Sequence, residues 1–321
     1  MKTILVTGGA GYIGSHTVHL LLENNYNVLI IDNFDNGVQK NIPENVKFYQ
    51  IDLRNISDIR KVFSENQIDA VVHFSGYIEA GESMADPYKF YNNNTFAGLN
   101  LLKVMIEQNV KKIVFSSTAA VYGEPEENPI TENSKKIPTN FYGSSKLMFE
   151  NILDSFEVYG MKNICLRYFN ACGAAFGLGE EHKPETHLIP LVLDVALGKR
   201  EHIKIFGTDY QTLDGTCIRD YIHVLDLAKA HVLALKHLEE KNTSLKLNVG
   251  TGKGFSVKEI IDKCREVTGH PIPAIESSRR DGDPTTLVAS AEKIKDIFNW
   301  ESQEDLNSII SSAWEWHKKT F

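Results

Sequence analysis

Thr3-Ile4-Leu5-Val6-Thr7-Gly8-Gly9-Ala10-Gly11-Tyr12-Ile13-Gly14-Ser15-His16 decides the fold of this 321-residue chain. An apolar run without polar alternation leads into spaced glycines and then into a helical-period stretch, the pattern of a strand buried on both faces that turns tightly into a helix. The spacing satisfies G-x-G-x-x-G through Gly9, Gly11 and Gly14, and G-x-x-G-x-x-G through Gly8, Gly11 and Gly14. Glycines placed there let the backbone approach a pyrophosphate, which the N-terminal dipole of the following helix favours. The next apolar run, Val28-Leu29-Ile30-Ile31, ends in Asp32, 18 residues after Gly14. That is close to the roughly 20 at which an acid hydrogen-bonds an adenosine ribose. A carboxylate there would repel a 2′-phosphate, so the pattern predicts NAD rather than NADP.

Outward from this unit, strands are predicted at Thr3–Thr7, Asn27–Ile31, Val46–Ile51, Asp69–Phe74, Lys111–Ser116 and Asn163–Tyr168, with helical stretches between them. Their alternation implies an α/β fold, a Rossmann-type doubly wound parallel sheet over residues 1–170. After Asn170 the rhythm breaks into an irregular polar stretch with Gly173, Gly177, Gly179 and Pro184, followed by a predicted helix at Leu188–Leu197. A helix at Leu225–Leu238 and a strand at Leu245–Val249 suggest that 220–250 returns to the first domain. Helices are predicted at Val257–Thr268, Ala291–Phe298 and Glu301–Lys318, around the loop Arg279-Arg280-Asp281-Gly282-Asp283. The expected domains are therefore 1–170 plus 220–250, which holds the cofactor, and 171–219 plus 251–321, a smaller α/β substrate-binding domain. In the first, Asp52-Leu53 and Phe74-Ser75-Gly76 fall at the carboxyl edge of the sheet, where such folds bind ligands. Asp52 is read either as an acceptor for an adenine amino group or as a helix-capping or solvated carboxylate.

A formal charge of -8 argues against a surface built to grip nucleic acid or an anionic membrane. Any anion must be bound locally. Cys165, Cys172, Cys217 and Cys264 have no C-x-x-C pairing and no histidine at finger-like spacing, so they are read as reduced thiols of a cytoplasmic chain, with no disulfide and no metal site. No run reaches the roughly 18 apolar residues of a membrane span.

Tyr142-Gly143-Ser144-Ser145-Lys146 places a phenol and an ammonium on one helical face. That spacing gains meaning from Ser116-Ser117-Thr118, a hydroxyl cluster ending the fifth strand on the nicotinamide side of the predicted cofactor site. A free tyrosine titrates near 10, so Tyr142 serves as a base only if a positive charge, from Lys146 and the nicotinamide, lowers it. With Thr118 hydrogen-bonding the same substrate oxygen, the implied reaction is alcohol oxidation.

Thr7–Ser15, Val72–Gly76, Phe115–Gly123, Tyr142–Leu147, Leu166–Asn170 and Asp214–Asp226 together resemble the motifs of the extended short-chain dehydrogenase/reductase family, most closely its UDP-hexose 4-epimerase branch. The likeness covers essentially the whole chain. It implies a catalytic triad of Thr118, Tyr142 and Lys146. It places NAD contacts at Gly8, Gly11, Tyr12, Ile13, Gly14, Asp32, Asn33, Phe34, Asp35, Asn36, Gly37, Asp52, Leu53, Phe74, Ser75, Gly76, Tyr77, Ile78, Asn93 and Phe169. The UDP-sugar falls to Thr118, Tyr142, Asn170, His187, Leu188, Lys204, Phe206, Arg219, Leu287 and the segment from Arg280 to Asp283. The implied chemistry is transient oxidation at C4 with tightly bound NAD, interconverting UDP-galactose and UDP-glucose in a homodimer.

Three positions depart from that pattern. Thr118 stands where serine is common, Ile78 where some members carry lysine, and Leu287 where a bulky tyrosine can stand. The smaller Leu287 suggests room for an N-acetyl group. Arg219 is read either as a diphosphate clamp or as a partner of Asp220 or Asp214, while His223, His231, Trp314 and Trp316 are read as structural. Two rivals remain: a nucleotide-sugar 4,6-dehydratase, whose acid and base would stand where this chain has Ala119-Ala120, and a non-catalytic NAD-binding sensor.

Overall fold

A computed structural model describes residues 1–280 and 283–320, so Asp281 and Gly282 of the predicted sugar-binding segment lie outside the described residues. Two compact units emerge: Met1–Gly123 with Lys136–Tyr168 and Ala228–Leu247, and Glu124–Lys135 with Phe169–Leu227 and Asn248–Phe321.

The first unit contains β1 (Thr3–Thr7), α1 (Tyr12–Glu23), β2 (Asn27–Asp32), β3 (Lys47–Gln50), α2 (Ile56–Glu65) and β4 (Ala70–His73). It continues through α3 (Ala80–Ala85), α4 (Pro87–Phe90), a π-helical turn (Tyr91–Phe96), α5 (Ala97–Glu107), β5 (Lys112–Thr118), α6 (Phe141–Ser155) and β6 (Lys162–Tyr168). The strands pair in parallel from β3 to β6, and with β10 (Leu245–Val249) form a seven-stranded sheet in the order β10-β6-β5-β4-β1-β2-β3. The doubly wound sheet is as predicted. Its strand order reverses between β1 and β4, and ligands of such sheets bind outside the carboxyl ends of the strands at that reversal. Ile4, Leu5 and Val6 are fully buried, as are Val71 and Val72, which accounts for runs without polar alternation. Leu5, Ile59, Leu101, Phe115 and Phe149 share one core cluster beneath the sheet.

The second unit contains β7 (Asn170–Cys172), α7 (Leu188–Ala196), β8 (Ile203–Phe206), β9 (Ile218–His223) and the start of α8 (Val224–Lys241). After β10 come β11 (Gly254–Ser256), α9 (Val257–Thr268), β12 (Ala274–Ser277), β13 (Thr286–Leu287), α10 (Glu292–Phe298) and α11 (Leu306–Thr320). Strand β9 pairs with β7, β11 and β13, and β8 pairs with β12. Residues 124–135 group here because Ile130 N donates to Val288 O at 2.8 Å and Ser290 N donates to Ile130 O at 2.8 Å.

The predicted helix Glu301–Lys318 begins five residues late. Asp226 accepts from the backbone N–H groups of Gln303 and Glu304 at 2.7 and 2.9 Å, and Trp300 Nε1 donates to Asp226 O at 3.2 Å. Those tethers hold the segment outside the helix. His223 is structural, as read: its Nδ1 accepts from Leu225 N at 3.0 Å and its Nε2 shares a hydrogen bond with Ser312.

Candidate active site

The glycine turn sits where β1 ends. Gly8 has φ +72°, a left-handed conformation that also brings it against the chain after β4, where a Cβ would stand 2.7 Å from Ser75 N. A Cβ on Gly14 would lie 2.1 Å from Gly8 O, so the third glycine lets α1 start directly over the turn. Gly11 is the N-cap of α1, no side chain caps that end, and its first turn holds no acid. This leaves the positive pole of the helix to an outside anion, as a pyrophosphate requires. Gly14→Ala is expected to abolish dinucleotide retention. Ultraviolet spectra of protein and of its denatured supernatant would check this, and wild-type NAD content in the variant would contradict it.

Asp32 ends β2 and is 6% exposed. Its carboxylate accepts from Ala10 N at 3.0 Å and Phe34 N at 2.9 Å. Burial pushes this carboxyl upward, and those backbone donors work in the opposite direction. Each oxygen retains acceptor capacity, so a ribose hydroxyl has a partner here. The adjoining predicted residues form one polar network. Asn33 donates to Asp35 at 2.8 Å, Tyr77 donates its hydroxyl to Asp35 at 2.8 Å, and Asn33 reaches Asp52 at 3.5 Å. Arg54, not foreseen from sequence, grips the Asp52 carboxylate with its guanidinium and holds that group below the usual carboxylate range. The alternative of Asp52 as a helix cap fails, because α2 is capped by Asn55.

Asn93 donates to Asn94 at 3.2 Å, and Asn94 is the residue that fixes this region. Asn94 accepts from Tyr77 N at 2.8 Å and donates to Tyr77 O at 3.0 Å and to Ser145 Oγ at 3.1 Å. One side chain thus ties the loop after β4 to α6. It lies in the π-helical turn, a local distortion found frequently at functional sites.

The triad assembles from the end of β5 and the first turns of α6. Thr118 accepts from Ala120 N at 3.1 Å, which leaves its own O–H to donate, and it is hydrogen-bonded to Tyr142. Asn140 caps α6 by accepting from Gly143 N at 2.8 Å, placing Tyr142 in the first turn and Lys146 one turn deeper. Lys146 is 2% exposed, donates to Ser116 O at 3.0 Å and lies 5.0 Å from the centre of the Phe115 ring.

Burial lowers Lys146 to about 8, so it stays mostly charged at neutral pH. Below it His73 is pushed down to about 3 by burial and by the Lys146 charge, and is therefore a neutral ring bonded to Thr7 at 2.6 Å. The expectation that Lys146 lowers the phenol is not met by the protein alone. Tyr142 is pushed up to about 12, because taking its anion out of water outweighs the hydrogen bond from Thr118.

Behind the triad runs a buried polar chain. Ser117 donates to Glu150 at 2.5 Å, Arg167 pairs with Glu150 through two contacts at 2.9 and 2.6 Å, and Arg167 donates to the Tyr122 hydroxyl at 2.9 Å. It joins β5, α6, β6 and the turn after Thr118. Ser116 and Tyr168 share a further hydroxyl contact beside it.

The predicted sugar-binding residues lie in the second unit, apart from Thr118 and Tyr142. Arg219 on β9 is neither on Asp220 nor on Asp214. It donates to Ile218 O at 2.8 Å and to Asp283 at 3.3 Å. Asp220 is instead occupied by the backbone N–H groups of Thr251, Gly252 and Ala289. Leu287 is the register partner of Arg219. Lys204 and Phe206 are on β8, and the Arg280 guanidinium stacks 3.9 Å from the centre of the Phe206 ring. Asn170 donates to Asp220 O at 3.2 Å, and Phe169 immediately precedes β7. His187 is the N-cap of α7 and Leu188 its first residue.

The sequence profile of the NAD dependent epimerase/dehydratase family matches residues 4–250. The chain belongs to that family. Among its relatives, the UDP-glucose 4-epimerase of Halalkalibacterium halodurans is 52% identical over 98% of this chain and 96% of its own length. A solved UDP-glucose 4-epimerase structure superposes with a TM-score of 0.97 at 49% identity, covering 99% of this chain and 98% of that one. The Bifidobacterium longum UDP-glucose 4-epimerase, solved in complex with NAD+ and UDP, gives 0.94 at 42% identity, with 99% of both chains covered. The family name joins epimerases and dehydratases, and the turn after β5 separates them here: Ala119 and Ala120 offer no carboxylate for elimination at C5 and C6.

Proposed function

We propose that this chain is a UDP-glucose 4-epimerase, an isomerase that interconverts UDP-galactose and UDP-glucose at C4 of the hexose. The observation that carries the reading is the triad: Tyr142 hydrogen-bonded to Thr118 at the end of β5, with the Lys146 ammonium one helical turn away. NAD is the cofactor, held through the turn at Gly8–Gly14 and the Asp32 carboxylate, and when bound it supplies the transient oxidation at C4. Tyr142 takes the proton of the 4-hydroxyl and returns it. Thr118 orients that oxygen, and Lys146 supplies the positive charge on the protein side. Arg219 and Arg280 neutralise the diphosphate, with Asn170, His187, Leu188, Lys204, Phe206 and Asp283 completing the nucleotide-sugar contacts.

The homodimer that the resemblance implies has an apolar face in the first unit, where Phe96, Leu99 and Met148 are exposed on neighbouring segments. No helix among the described residues is long and apolar enough to cross a membrane. The four cysteines are free and buried, in keeping with a reducing cytoplasm.

The purified chain is expected to convert UDP-galactose to UDP-glucose with no added cofactor, because the dinucleotide is regenerated in each turnover and has no reason to leave. An absolute need for external NAD would contradict tight retention, and no conversion with NAD present would overturn the reading. The half-buried Leu287 favours a second substrate, UDP-N-acetylglucosamine. Failure to convert it in the same assay would reject that extension alone.

A further inference from the structure

We infer that Glu180, His182, Glu185 and His187 form a binding site for a divalent transition-metal ion of the zinc class. These four side chains come from eight consecutive residues in the loop between β7 and α7, and their ligand atoms all lie within 4.8 Å of one another. His187 Nδ1 is 2.7 Å from Glu180 Oε1 and 2.8 Å from Glu185 Oε1, while His182 Nδ1 is 3.2 Å from the same Glu180 oxygen. One imidazole nitrogen carries at most one proton, and a single N–H cannot point well at two carboxylate oxygens that approach it equally closely. A cation can satisfy both. Tetrahedral coordination with bonds of about 2.0–2.1 Å sets neighbouring ligand atoms about 3.3 Å apart, so on taking up the ion the three short pairs would open slightly and the wider ones, now within 4.8 Å, would draw in.

The surroundings suit a bound cation. The Glu180 side chain is 7% exposed, and a buried carboxylate is stabilised by a full positive charge. Glu185 Oε1 is already fixed by the backbone N–H groups of Thr186 and His187 at 2.7 and 2.8 Å, the kind of outer support that orients metal ligands. His182 and His187 stand in H-x4-H spacing, within the range of zinc sites. The nearby thiol is not among the ligands, since Cys172 donates to the carbonyl oxygens of Asn170 and Ile222. Two imidazoles with two carboxylates select zinc, cobalt or nickel over magnesium or calcium. The cysteine spacing that excluded a metal in the sequence has no bearing on a site without sulfur.

Bound there, the ion acts as a structural clamp. It would tie Glu180, His182 and Glu185, in a loop with little regular structure, to His187, the N-cap of α7. Ligation through Nδ1 leaves Nε2 of His187 available for another partner.

The test uses the untagged, NAD-loaded protein, stripped with a chelator and titrated with Co(II) and then Zn(II). One equivalent of Co(II) is expected to produce visible ligand-field absorption that one equivalent of Zn(II) abolishes. Hydrogen–deuterium exchange in residues 173–190 is expected to slow on adding Zn(II), a readout that needs no variant. His182→Gln and Glu185→Gln, checked for retained NAD and circular dichroism, are each expected to weaken binding by more than the roughly 10–100-fold that losing an outer-shell partner costs. Absence of saturable binding by the wild type overturns the site. So does binding that leaves exchange in that loop unchanged, or that survives undiminished in both variants.

Discussion

Tyr142→Phe is expected to lower the turnover of UDP-galactose by about 10²–10⁴-fold, the range that positioned acid–base catalysis contributes. The substitution removes one oxygen and keeps the ring, so packing, dinucleotide content and the KM for the UDP-sugar should change little. The reason lies in how the phenol is held. Burial pushes it to about 12, with Thr118 as the hydrogen-bonding partner that moves it the other way. A phenol so held keeps its proton until positive charge arrives beyond the Lys146 ammonium, which already stands one helical turn away. A coupled assay of UDP-glucose formation, with NAD content measured on the same sample, checks this. Turnover in the variant within a few-fold of wild type would remove Tyr142 from the role of base. Thr118→Ser separates the hydroxyl from its methyl and should keep most of the activity.

How much of this was legible in the sequence depended on whether the deciding interactions were local. Thr3–Thr7, the glycines and Asp32 could be read because a buried strand, a tight turn and an acid at the next strand end are all set by residues close together in the chain. Helix Val257–Thr268 is found at its predicted bounds, with Ser256 and Glu259 forming a capping box. The strands of the second unit were missed for the opposite reason. In β8 Ile203 and Ile205 are buried and Lys204 exposed, so the period-two signal existed over only four residues, and its partner β12 lies about seventy positions away. The start of α11 was misread because the Asp226 contacts that hold Gln303 and Glu304 out of the helix come from a distant element. Asn94 bears the same lesson within the site, its partners Tyr77 and Ser145 lying 17 and 51 positions away, whereas Arg54 is an exception, only two residues from the Asp52 it holds. Nothing in the neighbours of Asn94 announces that it ties Tyr77 to Ser145. For the phenol of Tyr142, spacing reveals a neighbouring charge and not the cost of burial, which in the protein alone pushes it upward.

Arg167→Met is expected to destabilise the protein by about 3–5 kcal/mol, the penalty for leaving a buried charge without its partner. Arg167 and Glu150 have side chains only 2% and 1% exposed, and their contacts reach Ser117 on β5 and Tyr122 in the turn after Thr118. Removing the guanidinium strands the Glu150 carboxylate with Ser117 alone and leaves the Tyr122 hydroxyl without that donor. The pair itself need not be a large net gain, because desolvating two ions offsets most of their attraction. The double variant Arg167→Met with Glu150→Leu should therefore recover a good part of the loss. Urea unfolding followed by circular dichroism measures both, and a single variant within about 1 kcal/mol of wild type would contradict the argument. The double variant is the more informative about function. It restores an apolar core but removes the Glu150–Ser117 link from α6, which carries Tyr142 and Lys146, to the strand that ends in Thr118, leaving the Lys146 bond to Ser116 O and the Tyr142–Thr118 bond. If the pair serves register, the double variant should fold stably yet lose turnover. If it serves stability alone, turnover should return with the fold.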